Sequence, residues 1–265
     1  MNHSGRPPSA EPGHDATLDA IVTISIDDGY PSDARAADLL NTLGYAATFY
    51  VPARNDEREV MDSSAVRRIA DGFEMGAHGY NHRALPPLDQ ATARREIHDG
   101  REWLEDTISA PVTSFCYPRG KTNRRTVALV AEAGFAGART TRGNVVSAPT
   151  DVFLAGATSQ VFSHPRTIQV RHALLERNWA GATNYARIFR LATDWTDHFE
   201  RGVSHVAARG GVAHLWFHSW ELDDYDEWGR LEGLLARLKD GYDFRCLTNG
   251  EVFALQSPPS PDFSA

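Results

Sequence analysis

Short apolar runs rich in β-branched residues alternate along the chain with longer stretches in which apolar residues recur every three or four positions. The first run, "AIVTISIDD", closes on Asp-Asp-Gly and predicts a buried strand entering a loop. "DARAADLLNTLGY" follows with helical spacing and a glycine at its C-terminal end, and "AATFYVP" reads as a second strand. "SSAVRRIADGF" predicts a helix capped by Ser63 or Ser64, and "EMGAHGYNH" a short strand running into a polar loop. The pattern continues with a long amphipathic helix at "QATARREIHDGREWLEDTI", a strand at "VTSFCYP", a helix at "NRRTVALVAEAGF" and a strand at "AGART". After a less readable middle, "TDWTDHFERGVSHVAARGG" predicts a helix, "VAHLWFHSW" a strand, "EWGRLEGLLARLKDG" a helix and "FRCLT" a last strand. Strands alternating with helices imply a parallel sheet, and at 265 residues a (β/α) barrel of one α/β domain is favoured over an open sheet.

The ends of the chain depart from this rhythm. Residues 1–17 and the tail 257–265 are rich in Pro, Gly, Ser or His and read as flexible, leaving 18–256 as the folded domain. Neither a signal-peptide core nor an apolar run long enough to cross a membrane is visible, so the expected setting is cytoplasmic, without membrane insertion. Cys116 and Cys246 are then expected to be reduced, buried and inert. A net charge of −8 argues against nucleic acid as a partner, because phosphate binding draws on a surplus of Lys and Arg.

Polar clusters sit at the ends of predicted strands: Asp27-Asp28, "HGYNH" at 78–82, "YPRG" at 117–120 and "HSW" at 218–220. In a (β/α) barrel these ends form the functional face. His78 and His82 are four residues apart, so one helical turn would bring both imidazoles to one side as a metal pair; the alternative is two surface histidines on a loop. Adjacent carboxylates repel unless one is neutralised. A divalent cation on Asp28 would do that and leave Asp27 free as a base, although Asp-Asp-Gly alone also describes a turn or a helix cap. His218, between Trp216 and Trp220, suits a general acid if it faces the same pocket, and is otherwise a packed histidine among aromatics.

Taken in order and at these separations, "SIDDG", "HGYNH", "YPRG" and "LWFHSW" resemble the motifs of the polysaccharide deacetylases, the NodB-homology or carbohydrate esterase 4 family, over roughly residues 19–256. The resemblance implies a distorted barrel holding a divalent metal, zinc first with cobalt, manganese or nickel as alternatives, that removes N-acetyl groups from amino sugars. By position it makes Asp27 the base, Asp28, His78 and His82 the metal ligands, and His218 the acid. It also makes the backbone of Arg119 the oxyanion donor, with Tyr117 and Trp220 as further residues near the substrate. The implied partner is an N-acetylated amino sugar or glycoconjugate; oligomeric state is not indicated.

Two departures from the family pattern stand out. Many members carry an arginine that pairs with the base, where this chain has Cys116; and the aspartate-tryptophan pair that orients the acid histidine is not recognisable between residues 139 and 155. Asp194-Trp195 falls in a predicted helix and reads as coincidence. Arg139 and Arg142 could bind an anionic part of a substrate or simply be solvated, and "ELDDYDEW" could line a sugar site or form an acidic loop. The missing arginine leaves room for an amidohydrolase of the same fold acting on a cyclic imide, ureide or formamide, or for a silent carbohydrate-binding protein.

Overall fold

From Val22 onward strand β1 (Ala20–Asp27) alternates apolar and polar residues, so its two faces meet different surroundings. Val22, Ile24 and Ile26 face the helices and join the main hydrophobic core, while Ser25 bonds His214 across the barrel interior at 2.9 Å. The computed structural model describes residues 19–168, 171 and 177–256. The flexible tails expected at 1–17 and 257–265 lie outside the described residues, as does His172.

From β1 the sheet extends in one direction through β2 (Thr48–Val51), β3 (Glu74–Ala77), β4 (Ser114–Cys116) and β5 (Gly137–Arg139). In the other direction lie β7 (Gly211–Phe217) and β6 (Ser159–Gln160), and all the pairings are parallel. β8 (Arg245–Cys246) pairs with Ile21 and Val22, where β2 has not yet begun. The two ends of the sheet approach each other: Arg139 of β5 bridges Ala155, just ahead of β6. The sheet thus curls into the expected distorted barrel, with the helices outside.

Local chemistry explains most element boundaries. Helix α1 (Asp33–Leu43) stops at Gly44, whose φ of 66° is the left-handed cap a side chain would resist. Helix α2 (Ser63–Ala70) is capped by Asp62, which accepts from the N–H groups of Ser64 and Ala65; the expected serine cap is displaced because a carboxylate one residue earlier reaches both donors. Helix α3 (Gln90–Ile108) spans the predicted segment, and α4 (Arg124–Glu132) opens with a capping box between Asn123 and Thr126. Beyond these come α5 (Trp179–Arg187), α6 (Trp195–Arg209), α7 (Ser219–Asp224), α8 (Trp228–Gly241) and α9 (Asn249–Gln256). The strand read as "VAHLWFHSW" ends at Phe217, and Ser219 already belongs to α7. α9 escaped the sequence reading because its apolar residues do not fall on one face. Its first turn plugs the barrel floor: Glu74 accepts from the N–H of Gly250 at 3.0 Å, from Thr48 at 2.5 Å and from Ser114 at 2.9 Å. Among the described residues, no helix is long and apolar enough to cross a membrane.

Two interior histidines tie stability to pH. Burial holds His214 down at about 3 and His198, stacked 3.9 Å from Phe189, at about 4. The unfolded chain protonates both near the ordinary value of 6.5, so between pH 6.5 and 4 it binds more protons than the folded chain. Stability therefore falls as pH drops through that window, by up to about 1.4 kcal/mol per unit for each histidine. Thermal melts at pH 6.5 and 4.5 should show a lower midpoint at the acid end; an unchanged midpoint would contradict neutral burial of this pair.

Candidate active site

The end of β1 places both aspartates. Asp27 is the last strand residue and points inward, while Asp28 takes a φ of 79° and Gly29 one of 63°. This turn sends consecutive side chains to neighbouring parts of one cavity instead of to opposite faces. The N–H of Asp28 donates to the Tyr50 carbonyl at 3.0 Å, and a side chain at Gly29 would strike Val51 at 2.6 Å.

His78 and His82 meet through a loop, not through the helical turn expected from their spacing. Gly79 (φ 77°) and His82 (φ 53°) reverse the chain, and buried Glu96 of α3 holds Asn81 by its N–H and its side-chain amide, both at 2.8 Å. Gly100 on α3 lets the loop pack down; a Cβ there would lie 2.6 Å from Gly79. His78 Nδ1 donates to the Cys116 carbonyl at 2.8 Å, so in the neutral ring the Nε2 lone pair is turned toward Asp28.

Asp28 Oδ1 lies 3.5 Å from His78 Nε2 and 3.0 Å from His82 Nε2. It is buried without a hydrogen bond from any described group. Ligand atoms of Asp28, His78 and His82 lie within 4.8 Å of one another. Acceptor atoms turned on one another in a buried site repel unless a cation sits among them, and one carboxylate with two imidazoles suits a divalent ion with positions left open. Burial would raise the Asp28 carboxyl, yet the two histidines hold it far below the ordinary carboxylate range. The residues therefore fit the metal that the sequence implied.

Arg139, expected either to bind an anionic part of a substrate or to be solvated, does neither: it is fully buried at the end of β5 with its guanidinium on Asp27 Oδ2. Parallel pairing of β4 with β5 sets Cys116 and Arg139 opposite each other. Cys116 Sγ lies 3.7 Å from the same oxygen. The arginine missing from position 116 is thus supplied by the adjacent strand. Burial pushes the Asp27 carboxyl up, but Arg139 outweighs it and leaves Asp27 ionised below its usual range. Cys116 is free and buried, its thiol raised by burial, as expected of an inert cysteine; Cys246 is also free but only partly buried, at the short edge strand β8, and not buried as expected.

His218 occupies the residue between β7 and α7. Its Nε2 is 3.7 Å from Asp28 Oδ2, and its Nδ1 makes an ion pair of 3.1 Å with Glu221 one helical turn on. Gln160 of β6 donates to both Glu221 oxygens at 3.1 Å. Burial would lower His218, but Glu221 and Asp28 outweigh it and bring the imidazole up to about 9. Glu221 is thus the carboxylate on His218 Nδ1, in a chain where no aspartate-tryptophan pair was found for that place. Asp194-Trp195 is structural: Asp194 caps α6 and pairs with Arg230.

Asp27, Asp28, His78, His82 and His218 line one cavity of about 260 Å³, together with Tyr117, Arg119 and Trp220. The Tyr117 hydroxyl donates to the Phe153 carbonyl at 3.1 Å, which ties that side chain into the core. Arg119 (φ 59°) sends its guanidinium to Glu57 at the rim. Arg142 is exposed, apart from the cavity lining. A larger, shallower depression of about 860 Å³ lies over α5 and α6 and contains none of these residues.

Residues 14–138 match the family model for polysaccharide deacetylase. No curated protein matches the sequence. Among solved structures, the chain is similar to a polysaccharide deacetylase-type protein from Mycobacterium smegmatis, at 18% identity and a TM-score of 0.58 over 94% of this chain and 93% of that one. It is also similar to the chitin deacetylase of the fungal pathogen Colletotrichum lindemuthianum, at 16% identity and a TM-score of 0.57 over 89% and 88%. A CE4-family pseudoenzyme from Bacillus anthracis matches at 16% identity and a TM-score of 0.54, over 89% of this chain and 66% of that one. The chain spans only 62% of the length of a Streptococcus pyogenes deacetylase and 46% of one from Bacillus cereus. At these identities the likenesses establish the fold.

Proposed function

We propose, for a chain whose residues 14–138 match the polysaccharide deacetylase family model, divalent-metal-dependent hydrolysis of the N-acetyl group of an amino sugar or aminoglycoside-like substrate. The observation that carries this reading is the meeting, in one cavity, of a base held by Arg139, an acid held by Glu221 and the Asp28–His78–His82 cluster.

Asp28, His78 and His82 would hold the ion. When bound, a divalent ion supplies Lewis-acid polarisation of the acetyl carbonyl. Asp27 presents Oδ1, buried and without a hydrogen bond from any described group, to take the proton of the attacking water while Arg139 fixes Oδ2. The backbone N–H of Arg119 is the proposed donor to the developing oxyanion; that of Gly120 is already given to the Tyr117 carbonyl at 2.8 Å. His218 donates its Nε2 proton to the amine nitrogen as the C–N bond breaks, and Glu221 holds the resulting ring in place through Nδ1. The products are acetate and the free amine.

The absence of an arginine at position 116 was the reason to consider a non-sugar amide, and Arg139 removes it. A silent member of the fold remains a concrete competitor, since the Bacillus anthracis neighbour is a pseudoenzyme. The deciding experiment measures acetate release by zinc-reconstituted protein from a panel of N-acetylated sugars, sugar nucleotides and glycolipids. The expected result is turnover that falls about 10²–10⁴-fold in Asp27→Asn. Acetate release unchanged by that substitution, or none from any substrate with metal bound stoichiometrically, would reject the reading.

A further inference from the structure

The mouth of the cavity contains a cation that the proposed reaction does not use. Arg58, half-buried in the loop after β2, lays its guanidinium 3.4 Å over the Trp220 ring, and Trp220 in turn stacks on His218 at 5.4 Å with 23° between the planes. The other charges lining the cavity are matched. Asp27 is paired with Arg139, Glu57 with Arg119 and His218 with Glu221, while Asp28 is the carboxylate of the proposed metal cluster. Arg58 is left without an ion-pair partner among the described carboxylates. A divalent ion at Asp28 would make the cavity still more positive.

A second, independent observation lies beside it. Trp220 Nε1 is buried in the same lining and has no described acceptor. A buried N–H without an acceptor costs about 1–3 kcal/mol, and a small turn of the indole into the cavity it lines would let a ligand oxygen recover that cost. The guanidinium and the indole N–H belong to one stacked pair, and both are donors. An anionic oxygen group satisfies the two together, whereas a neutral hydroxyl leaves the charge of Arg58 unanswered.

Resting on the deacetylase reading, we propose that Arg58 and Trp220 Nε1 form an anion-recognition subsite that selects acetamido sugars carrying a carboxylate or phosphate close to the acetylated amine. The stack onto His218 places this subsite on the side of the cavity where the amine departs. The anionic substituent would thus register the substrate relative to the proton donor, and its loss would appear mainly in binding.

The test uses zinc-loaded, otherwise unaltered protein and three sugars in which a sulfonamide replaces the acetamide and prevents turnover: one neutral, one with a carboxyalkyl ether beside the sulfonamide, one with a phosphate. Calorimetric titration is expected to give at least tenfold tighter binding of one anionic sugar over the neutral one, with the preferred arm naming the substituent. That preference should disappear in Arg58→Gln, shrink in Trp220→Phe, which keeps the stack and removes the N–H, and weaken with added salt. Equal affinities for all three sugars, no binding of any, or a preference that survives Arg58→Gln would overturn the subsite. Acetate release from acetylated substrates decides the deacetylase reading separately, so failure of one is distinguishable from failure of the other.

Discussion

Arg139→Met is expected to unfold the protein more readily and to disable what remains folded. The substitution keeps much of the side-chain volume but leaves Asp27, itself 3% exposed, as a buried carboxylate without its counter-charge. Breaking one partner out of a buried pair costs about 3–5 kcal/mol. For a domain of this size, that corresponds to a drop in melting temperature of roughly 6–20 °C. Activity should fall as well, because Asp27 would take up a proton or turn toward solvent and cease to act as a base at neutral pH. Two further variants separate charge from volume. Arg139→Met combined with Asp27→Asn should recover part of the lost stability, since no unpaired charge remains. Cys116→Arg combined with Arg139→Ser should recover activity, because the two positions are register partners facing the same oxygen. Wild-type stability and turnover in Arg139→Met would mean that the ion pair has no functional weight.

Removing a proposed metal ligand should have the largest effect on turnover. His78→Ala takes away one of the nitrogens that, with His82 and Asp28, close on a common point. Loss of a residue that merely supports a ligand costs about 10–100-fold in metal affinity or activity, and loss of the ligand itself should exceed that. Zinc content after dialysis is the direct readout, and acetate release should fall in parallel. Glu96→Gln is the informative companion: Glu96 never touches the cluster but holds Asn81 and so the loop carrying His82, so it should weaken zinc binding by the smaller, supporting-residue amount. Full zinc occupancy and turnover in His78→Ala would remove this cluster from the mechanism.

The difference between Asp28 and Arg139 shows what kind of information the chain carries openly. Asp27-Asp28-Gly29 and the His78–His82 pair are written contiguously, and the turn that uses them is built from the same residues. A candidate chemistry could therefore be assigned to them without knowing the fold. Arg139 and Asp27 are separated by 112 positions, and nothing adjacent to Arg139 distinguishes a buried partner from a solvated one. The match to the family model ends at residue 138 and does not contain it. One local signal was present, the small residues Gly137 and Ala138 leading an apolar-flanked strand onto an arginine, but it gains meaning only once β5 is seen to pair with β4.

Glu221 is an intermediate case. Its place three residues after His218 was visible, but that spacing brings two side chains together only in a helix, and the segment was read as strand followed by acidic loop. The sequence by itself determined the alternation of strands and helices over most of the chain, the glycine stop of α1, and which residues are candidates for base, acid and metal ligands. These depend on hydrophobic periodicity and on hydrogen bonds between near neighbours. The tertiary structure decided which cation neutralises Asp27, which carboxylate holds His218, and that the two histidines meet through a reversed loop. Those outcomes depend on strand register and on the packing of α3 against the loop, where residues distant in the chain are brought within one hydrogen-bond length.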